Sequence, residues 1–470
     1  MFSENARQKE KKMTDKRTAA AVSTPPGRGG IAVIRMSGEG AFEIADRVYL
    51  AYNGKKVSEM AGYTCSYGYV KNEEGEKIDS CVLTVFRAPH SYTGEDTVEI
   101  SCHGGVYVAK EVLRTLLSAG AVLAEAGEFT KTAFLNGKMS LAEAEGVMDI
   151  ISSAGAAELK IANMERSGRA FKAIAAIEDR LTETLGRLSV WADYPEDDIP
   201  EVTEESLGLD LEDIYSKMAE TDRTYDFGKR IREGIPSVII GKPNAGKSTF
   251  FNYLVGSERS IVTDIAGTTR DIVEETVRIG EVTLRLNDTA GLRDTEDRIE
   301  RIGIENVYKK LEEADLVLWL IDGSKPFSME EMDIPTEKLA EKTVVAVINK
   351  SDISTGEEIR VPEEITGYTV TVSSVEGRGF DELEKLLKTL FYGGEIREDH
   401  GWISNERQRL CLKNSMRAVE NARDCLMSGE TFDIITVLLD EALEWLLRLE
   451  GRSITDEVVN EVFSKFCVGK

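Results

Sequence analysis

The chain has 470 residues, and 84 Asp and Glu against 58 Lys and Arg give it a formal net charge of −26. This length predicts about three domains. A hydrophobic share of 41% beside 30% charged residues is a globular balance, which argues against wholesale disorder. The acidic surplus argues against a protein that coats nucleic acid with its whole surface, because neutralising phosphates requires clustered Lys and Arg. Any contact with RNA therefore needs a local basic patch or a basic partner.

Residues 1–18 are charged and mixed in sign, so we expect a flexible leader and not a signal or transit peptide. Apolar runs along the chain stay well short of the roughly 18 residues that span a bilayer, so no membrane contact is expected. The six cysteines show no paired CxxC spacing. These features favour a reduced, cytoplasmic location.

Residues 19–139 mix short β-rich runs with one helical stretch. Apolar and β-branched residues dominate at 31–36, 81–87 and 97–101, and a helical pattern covers 106–118. Gly- and Pro-rich turns separate these runs. The mixture predicts a compact α+β domain.

Residues 140–231 have a helical pattern. Apolar residues recur there at three-, four- and seven-residue steps, which predicts one packed helix face. They are Phe171, Ile174, Leu181, Leu185 and Leu188. The helical pattern returns over 394–470, so we expect one discontinuous helical domain. The acidic stretch 195–205 predicts a loop between helices.

Between the two helical parts, residues 232–393 follow a different period. Apolar runs at 237–240, 315–321, 343–348 and 369–372 are separated by helix-like segments. Alternating strands and helices predict a doubly wound α/β domain with a parallel sheet. The expected fold is therefore a multidomain α/β and α+β protein with this domain inserted into the helical one.

Residues 241–248 read GKPNAGKS, which fits the pattern GxxxxGK[ST]. The segment follows an apolar strand and opens a helix, and this context makes the motif credible as a phosphate-binding loop. Backbone N–H groups of the loop then face the phosphates, Lys247 reaches the outer phosphates, and Ser248 supplies an oxygen to Mg²⁺.

Further motifs follow in the order expected of a GTPase. Residues 288–291 read DTAG after a predicted strand, where Asp288 can reach the Mg²⁺ shell. Thr269 is the candidate switch threonine, whose hydroxyl completes that shell only when the terminal phosphate is present. Residues 349–352 read NKSD, and Asp352 can accept both N–H donors of a guanine edge, which predicts GTP and not ATP. Residues 373–375 lie where a backbone N–H usually meets the guanine oxygen.

The predicted nucleotide site gathers residues from several short segments. Its members are Asn244, Ala245, Gly246, Lys247, Ser248, Thr249, Thr263, Asp264, Ile265, Ala266, Gly267, Thr268, Thr269, Asp288, Thr289, Ala290, Gly291, Asn349, Lys350, Ser351, Asp352, Ser373, Ser374 and Val375.

Leu292 follows the DTAG motif where signalling GTPases have the Gln that orients the attacking water. The protein must therefore position its water by another group. The polar candidates for this and for charge stabilisation are Arg270, Asp271, Arg293 and Glu300. No arginine can be assigned as a finger from the sequence.

This set of motifs resembles the MnmE (TrmE) family of tRNA uridine modification GTPases. The resemblance rests on TPPGRGG at 24–30, TDIAGTTRD at 263–271, DTAGLR at 288–293 and CVGK at 467–470, and it covers nearly the whole chain after the leader. Ser374 departs from the family, in which alanine is usual at this position.

The resemblance implies a potassium-stimulated GTPase whose two G domains face each other. It implies that K⁺ takes the place of an arginine finger, and that Glu300 orients the attacking water through a second water. The implied Mg²⁺ ligands are Ser248 and Thr269. The implied K⁺ ligands are Asn244, Thr263, Ile265 and Thr268.

For the N-terminal domain, the resemblance implies homodimer formation and binding of a 5-formyl or 5,10-methylene tetrahydrofolate. The implied folate contacts are Arg35, Glu99, Lys138 and Lys470. The resemblance also gives a reactive role to Cys467, near the folate pocket. Neither folate nor this role follows from residue patterns.

The family acts with an FAD-dependent partner, MnmG, in a heterotetramer or larger complex. The implied reaction adds an aminomethyl or carboxymethylaminomethyl group to carbon five of the wobble uridine of certain tRNAs. Because an acidic chain binds RNA weakly, the partner is expected to make most of the tRNA contact. The alternative is a switch GTPase of ribosome or RNP assembly, which shares the GTPase motifs and performs no folate chemistry.

Overall fold

The computed structural model describes residues 17–153, 155–168, 171–193, 202–256, 274–287, 311–326, 339, 342–354, 359, 361–362, 365–392, 402–403, 405–453 and 455–470. These residues form an N-terminal α+β unit, a helical unit and an α/β unit.

The N-terminal unit is built on a seven-stranded sheet. Its strands are β1 (Ala19–Val22), β2 (Ile31–Ser37), β3 (Tyr49–Ala51), β4 (Thr64–Lys71), β5 (Lys77–Phe86), β6 (Thr97–His103) and β7 (Val122–Leu123). Its helices are α1 (Ala41–Val48), α2 (Val106–Ser118) and α3 (Glu128–Leu135). The strand order is β3-β4-β5-β6-β2-β1-β7, and only the β1–β7 pair is parallel. The predicted α+β arrangement is confirmed.

Side chains along these strands alternate between the two faces of the sheet. On the face covered by α1 and α2, Ile34 and Ile100 are buried. On the opposite face, Ile31 of β2 is 67% exposed. Arg35 follows Ile31 by four residues and pairs in register with Glu99 of β6, so both charged residues share this second face. We call it the open face, and it carries apolar side chains as well as an ion pair.

The first part of the helical unit follows the N-terminal sheet. Its helices are α4 (Leu141–Ser152), α5 (Ala156–Arg166), α6 (Lys172–Asp193) and α7 (Glu204–Glu233). The predicted loop 195–205 is wrong at its end, because Glu204 and Glu205 form the first turn of α7. Thr203 caps this helix by accepting from the N–H of Ser206, and acidic residues in a first turn stabilise a helix.

The α/β unit comes next in the chain. Its elements are β8 (Ile235–Ile240), α8 (Lys247–Gly256), β9 (Glu274–Ile279), β10 (Val282–Asn287), β11 (Leu316–Asp322), β12 (Thr343–Asn349), β13 (Thr369–Thr371) and α9 (Phe380–Tyr392). Every residue of β11 is buried, as expected of a strand covered on both faces.

The sheet of this unit has the order β13-β12-β11-β8-β10-β9. The predicted parallel arrangement is correct for β8 and β10–β13. Strand β9 was not predicted, and it pairs antiparallel with β10. The reason is the connection, because residues 280–281 alone join β9 to β10. Parallel neighbours need a crossover of about a dozen or more residues, whereas two residues suffice for a hairpin.

The second part of the helical unit closes the chain. Its helices are α10 (Glu406–Met427), α11 (Phe432–Glu450) and α12 (Asp456–Ser464). The predicted stripe of α6 is buried in a core that also contains Leu412 of α10 and Leu439 of α11. Arg407 of α10 forms two hydrogen bonds of 2.9 Å with the carboxylate of Glu145 in α4. The two helical parts therefore share one core and are joined by ion pairs such as this one, and the α/β unit is inserted between them.

Among the described residues, no helix combines the length and the apolar character that a membrane span requires.

Candidate functional site

The loop between β8 and α8 bends sharply at three positions. Gly241, Asn244 and Gly246 have φ angles of 143°, 66° and 92°. A Cβ atom on Gly241 would lie 2.3 Å from the carbonyl oxygen of Leu320, so only glycine fits there. The loop therefore passes close to the end of β11 before it enters the helix.

Lys247 begins α8 and folds its side chain over this loop. Its Nζ donates to the carbonyl oxygens of Gly241 at 2.6 Å and Lys242 at 2.9 Å. Ser248 and Thr249 follow in the first turn of the helix. A helix N-terminus beside an ammonium group is a favourable place for phosphate.

Asn349 at the end of β12 connects this loop to the segment after β13. Its Nδ2 donates to the carbonyl oxygen of Ala245 at 3.1 Å. Its Oδ1 accepts from the backbone N–H and the hydroxyl of Ser374, at 3.2 and 2.8 Å. Asn349 is buried. The phosphate loop and the predicted base-binding segment are thus held together by one amide side chain.

The other predicted base-binding residues lie around Asn349. Asp352 accepts from the hydroxyl of Ser373 at 2.7 Å, and Val375 is exposed. Lys350 has a φ of 65°, and its Nζ donates to Asp322 at 2.7 Å. Ser351 begins the short turn that carries Asp352.

Asp322 was not among the predicted site residues. Although burial by itself raises its pKa, hydrogen bonds from Lys350 and Ser324 hold the pKa of Asp322 below its usual value. Asp322 therefore acts as an anion that orients the side chain of Lys350. Its position at the end of the buried strand β11 is the sequence signal that could have identified it.

Several predicted nucleotide-site and catalytic residues, together with Leu292 after the DTAG motif, lie outside the described residues. They are Thr263, Asp264, Ile265, Ala266, Gly267, Thr268, Thr269, Arg270, Asp271, Asp288, Thr289, Ala290, Gly291, Leu292, Arg293 and Glu300.

A second cluster lies on the N-terminal sheet. Arg35 donates to Glu99 through Nε at 2.8 Å, and its guanidinium lies 5.5 Å and 5.7 Å from the ring centroids of Tyr92 and Phe129. Lys470, the last residue, lies close enough for the charges of Arg35 and Glu99 to affect its pKa. Burial lowers the pKa of the Lys470 ammonium, Arg35 lowers it further, and Glu99 opposes the shift. We call Arg35, Glu99, Lys470, Tyr92 and Phe129 the tail site.

Backbone contacts hold the last residues against the N-terminal unit. The N–H of Gly127 donates to the carbonyl of Cys467 at 3.3 Å, and the N–H of Phe129 donates to that of Lys470 at 3.1 Å. The hydroxyl of Ser23 donates to the carbonyl of Gly469 at 2.9 Å. The chain end is therefore part of the N-terminal structure.

The remaining predicted folate residue and the predicted cysteine have other contacts. Nζ of Lys138 donates to the carbonyl of Pro89 at 3.1 Å. Cys467 is exposed. The structure therefore brings Arg35, Glu99 and Lys470 together, and Lys138 lies against the loop before Tyr92. The rings of Tyr92 and Phe129 were not predicted as site residues, because their place beside Arg35 depends on the packing of α3 against the sheet.

Two family models match this chain: the GTP-binding protein TrmE N-terminus over residues 18–138 and the MnmE helical domain over residues 141–467. A tRNA modification GTPase MnmE of Listeria welshimeri is 40% identical over 457 residues, covering 96% of this chain and 99% of the relative. The chain belongs to the MnmE family of tRNA modification GTPases. Another MnmE, from Acetivibrio thermocellus, is 39% identical over 458 residues and covers the same shares.

These matches confirm the predicted family and the predicted GTPase activity. Among solved structures, Era of Aquifex aeolicus bound to GDP and AlF4⁻ is 26% identical, covers 39% of this chain and 65% of that chain, and gives a TM-score of 0.23. In this MnmE-family chain, the candidate nucleotide site lies in the inserted α/β unit and the tail site on the N-terminal sheet.

Proposed function

We propose that this chain is a potassium-stimulated GTPase that acts with the FAD-dependent MnmG. Together they add an aminomethyl or carboxymethylaminomethyl group to carbon five of the wobble uridine of certain tRNAs. A one-carbon tetrahydrofolate bound at the tail site supplies the carbon. GTP hydrolysis in the α/β unit drives a conformational step of this reaction.

The observation that carries the proposal is the position of Lys470. The last residue of the chain lies beside Arg35 and Glu99, and its backbone carbonyl accepts from Phe129. A switch GTPase that performs no folate chemistry has no need for a half-buried lysine beside the ion pair of Arg35 and Glu99. Flat rings, two cations and one carboxylate suit a folate, which has a flat heterocycle and acidic groups.

The donor types at the nucleotide site suit the two proposed metal ions. The Ser248 hydroxyl, beside Lys247, is a hard oxygen ligand of the kind that Mg²⁺ prefers. The Asn244 side chain offers an amide oxygen to K⁺, and its positive φ places this residue at a bend of the loop. The remaining proposed ligands, such as Thr269 and Thr268, lie outside the described residues. In this proposal Glu300 orients the attacking water.

The open face of the N-terminal sheet supports a homodimer. Tyr67 and Tyr52, whose ring centroids are 5.1 Å apart, are 59% and 57% exposed, and Ile31 is 67% exposed. Exposed apolar surface of this kind marks an interaction site. The net charge of −26 supports a partner that makes most of the tRNA contact.

The test is nucleoside analysis by mass spectrometry of tRNA from cells that lack this protein, with and without the restored gene. We expect the carbon-five aminomethyl-type wobble uridines to disappear and to return on complementation. An unchanged nucleoside profile would contradict the proposal and place the assembly-switch alternative first. Cys467 is the predicted reactive group of the tail, and a Cys467→Ser gene in the same assay tests its role.

A further inference from the structure

Ser374 gives two hydrogen bonds to a single acceptor. Its backbone N–H and its hydroxyl both donate to Oδ1 of Asn349, at 3.2 and 2.8 Å. Both residues are buried, at 5% and 1% exposed. On its other side Asn349 donates to Ala245 of the phosphate loop. The orientation of Asn349 therefore depends on Ser374 and affects both parts of the nucleotide site.

The two donors of Ser374, its backbone N–H and its hydroxyl, differ in the other hydrogen bonds that they can form. The backbone N–H lies in the segment expected to meet the carbonyl oxygen of guanine, and a bond to guanine would take this N–H from Asn349. A buried acceptor that loses its donor carries a full desolvation penalty. A hydroxyl rotates independently of the backbone and can keep its bond.

We propose that the Ser374 hydroxyl is a positioning group for guanine binding. It keeps Asn349 Oδ1 paired when the backbone N–H of the same residue turns to the guanine carbonyl. The hydroxyl thereby lowers the cost of recognising a 6-oxopurine. This inference rests on the GTP-binding part of the proposed function and is independent of the folate chemistry.

The proposal predicts different effects in the free and the bound protein. Without nucleotide, Ser374→Ala leaves Asn349 Oδ1 with the backbone N–H as donor. With guanine bound, the same variant leaves this oxygen without either donor. The substitution should therefore weaken base binding and leave the free fold nearly unchanged.

The experiment titrates the full chain with fluorescent GDP and IDP analogues. For Ser374→Ala we expect both dissociation constants to rise by the same factor, roughly 5- to 30-fold, because both bases carry the 6-oxo group. The melting temperature of the nucleotide-free chain should change by less than about 2 °C. At saturating GTP, kcat should stay unchanged and KM should rise.

Two variants serve as comparisons. Ser373→Ala removes the hydroxyl that donates to Asp352, so it should weaken GDP more than IDP, which lacks the 2-amino group. Thr389→Ala removes a hydroxyl that donates to the carbonyl of Lys385 in α9, and it should change neither affinity.

An unchanged GDP affinity of Ser374→Ala would overturn the inference. A fall in the melting temperature of the free chain that accounts for the lost affinity would also overturn it, since it would show a structural role alone. If the wild-type chain bound no GDP, both the nucleotide site and the inference would be wrong. Equal GDP affinity of the wild type and the Ser374→Ala variant would leave the proposed function intact and contradict only the role of Ser374.

Discussion

The candidate nucleotide site is built from short contiguous segments, whereas the tail site joins the N-terminal unit to residues far along the chain. Lys247 and Ser248 come directly after the phosphate loop in the sequence and begin α8. In contrast, the Ser23 hydroxyl meets the Gly469 carbonyl across 446 residues of sequence. The first site depends on local turns and the second on correct packing of the whole helical unit. The two sites should therefore respond differently to mutation.

The largest effect is expected at Lys247. Lys247→Ala removes the main side-chain cation from the phosphate loop, so GTP turnover should fall by about 10²- to 10³-fold. Folate binding at the tail site should not change. Steady-state phosphate release and folate titration check both statements, with Lys385→Ala on α9 as a control lysine. Undiminished turnover of the Lys247 variant would contradict the site assignment.

The next effect concerns a partly buried ion pair that joins the two helical parts. The Arg407 side chain is 20% exposed, binds Glu145 and also donates to the carbonyls of Arg448 and Leu449. Removing one partner of such a pair leaves a charge with little solvent around it, so Arg407→Ala should lower the free energy of unfolding by about 3 kcal/mol. Urea denaturation measures this value.

Arg409 is the matched control for Arg407. It lies two residues away, is 31% exposed, and pairs with Asp222 and Asp226 at 3.3 Å. Arg409→Ala should cost about 1 kcal/mol or less. Because the tail site needs the helical unit, Arg407→Ala should also weaken folate binding more than GDP binding. Equal losses of stability in the two variants would contradict the structural role of Arg407.

Potassium should matter for the nucleotide site alone. We expect hydrolysis to be at least about tenfold faster in KCl than in NaCl at equal ionic strength, because a bound cation stabilises the transition state. Asn244→Ala should remove most of this difference. Folate binding should be the same in both salts. Equal hydrolysis rates of the wild-type chain in the two salts would refute the potassium proposal.

The last effect is a pH dependence of stability in the helical unit. Burial raises the pKa of Glu178 from 4.5 to about 7, the charge of Glu450 adds to the rise, and Arg452 opposes it. The folded chain therefore keeps a proton that the unfolded chain releases. This contribution is complete below pH 4.5 and is lost as the pH rises through about 7.

Glu178→Gln should therefore flatten the fall of stability between these pH values. Thermal unfolding at a series of pH values measures the slope. Glu183→Gln on the same helix is the control, because Glu183 is exposed. A slope in the Glu178 variant equal to that of the wild type would refute this assignment.

Sequence patterns predicted much of the fold because apolar periodicity determines which residues are buried. The runs at 237–240 and 343–348 appear as β8 and β12, and the stripe of α6 is buried. Strand β9 was missed because only Val277 and Ile279 of its six residues are apolar. Its antiparallel direction follows from the hairpin at residues 280–281.

At the two sites, residues were predictable from the sequence only where they lie within one short segment. The phosphate loop and the NKSD motif at 349–352 could be recognised because one short segment contains each motif. Asp322, the last residue of β11, was missed because an Asp at a strand end is a weak signal when no defined spacing accompanies it. Arg35, Glu99 and Lys470 came only from the family resemblance, since no sequence pattern shows that the chain end packs beside β2 and β6.

The most direct test of this account uses the full chain without Gly469 and Lys470, measured for GTP hydrolysis and for wobble-uridine modification. We expect hydrolysis within about twofold of the wild type, since the nucleotide site is separate, and loss of the carbon-five modification. Retention of the modified uridine, or loss of hydrolysis, would contradict the separation of the two sites and the role of the chain end.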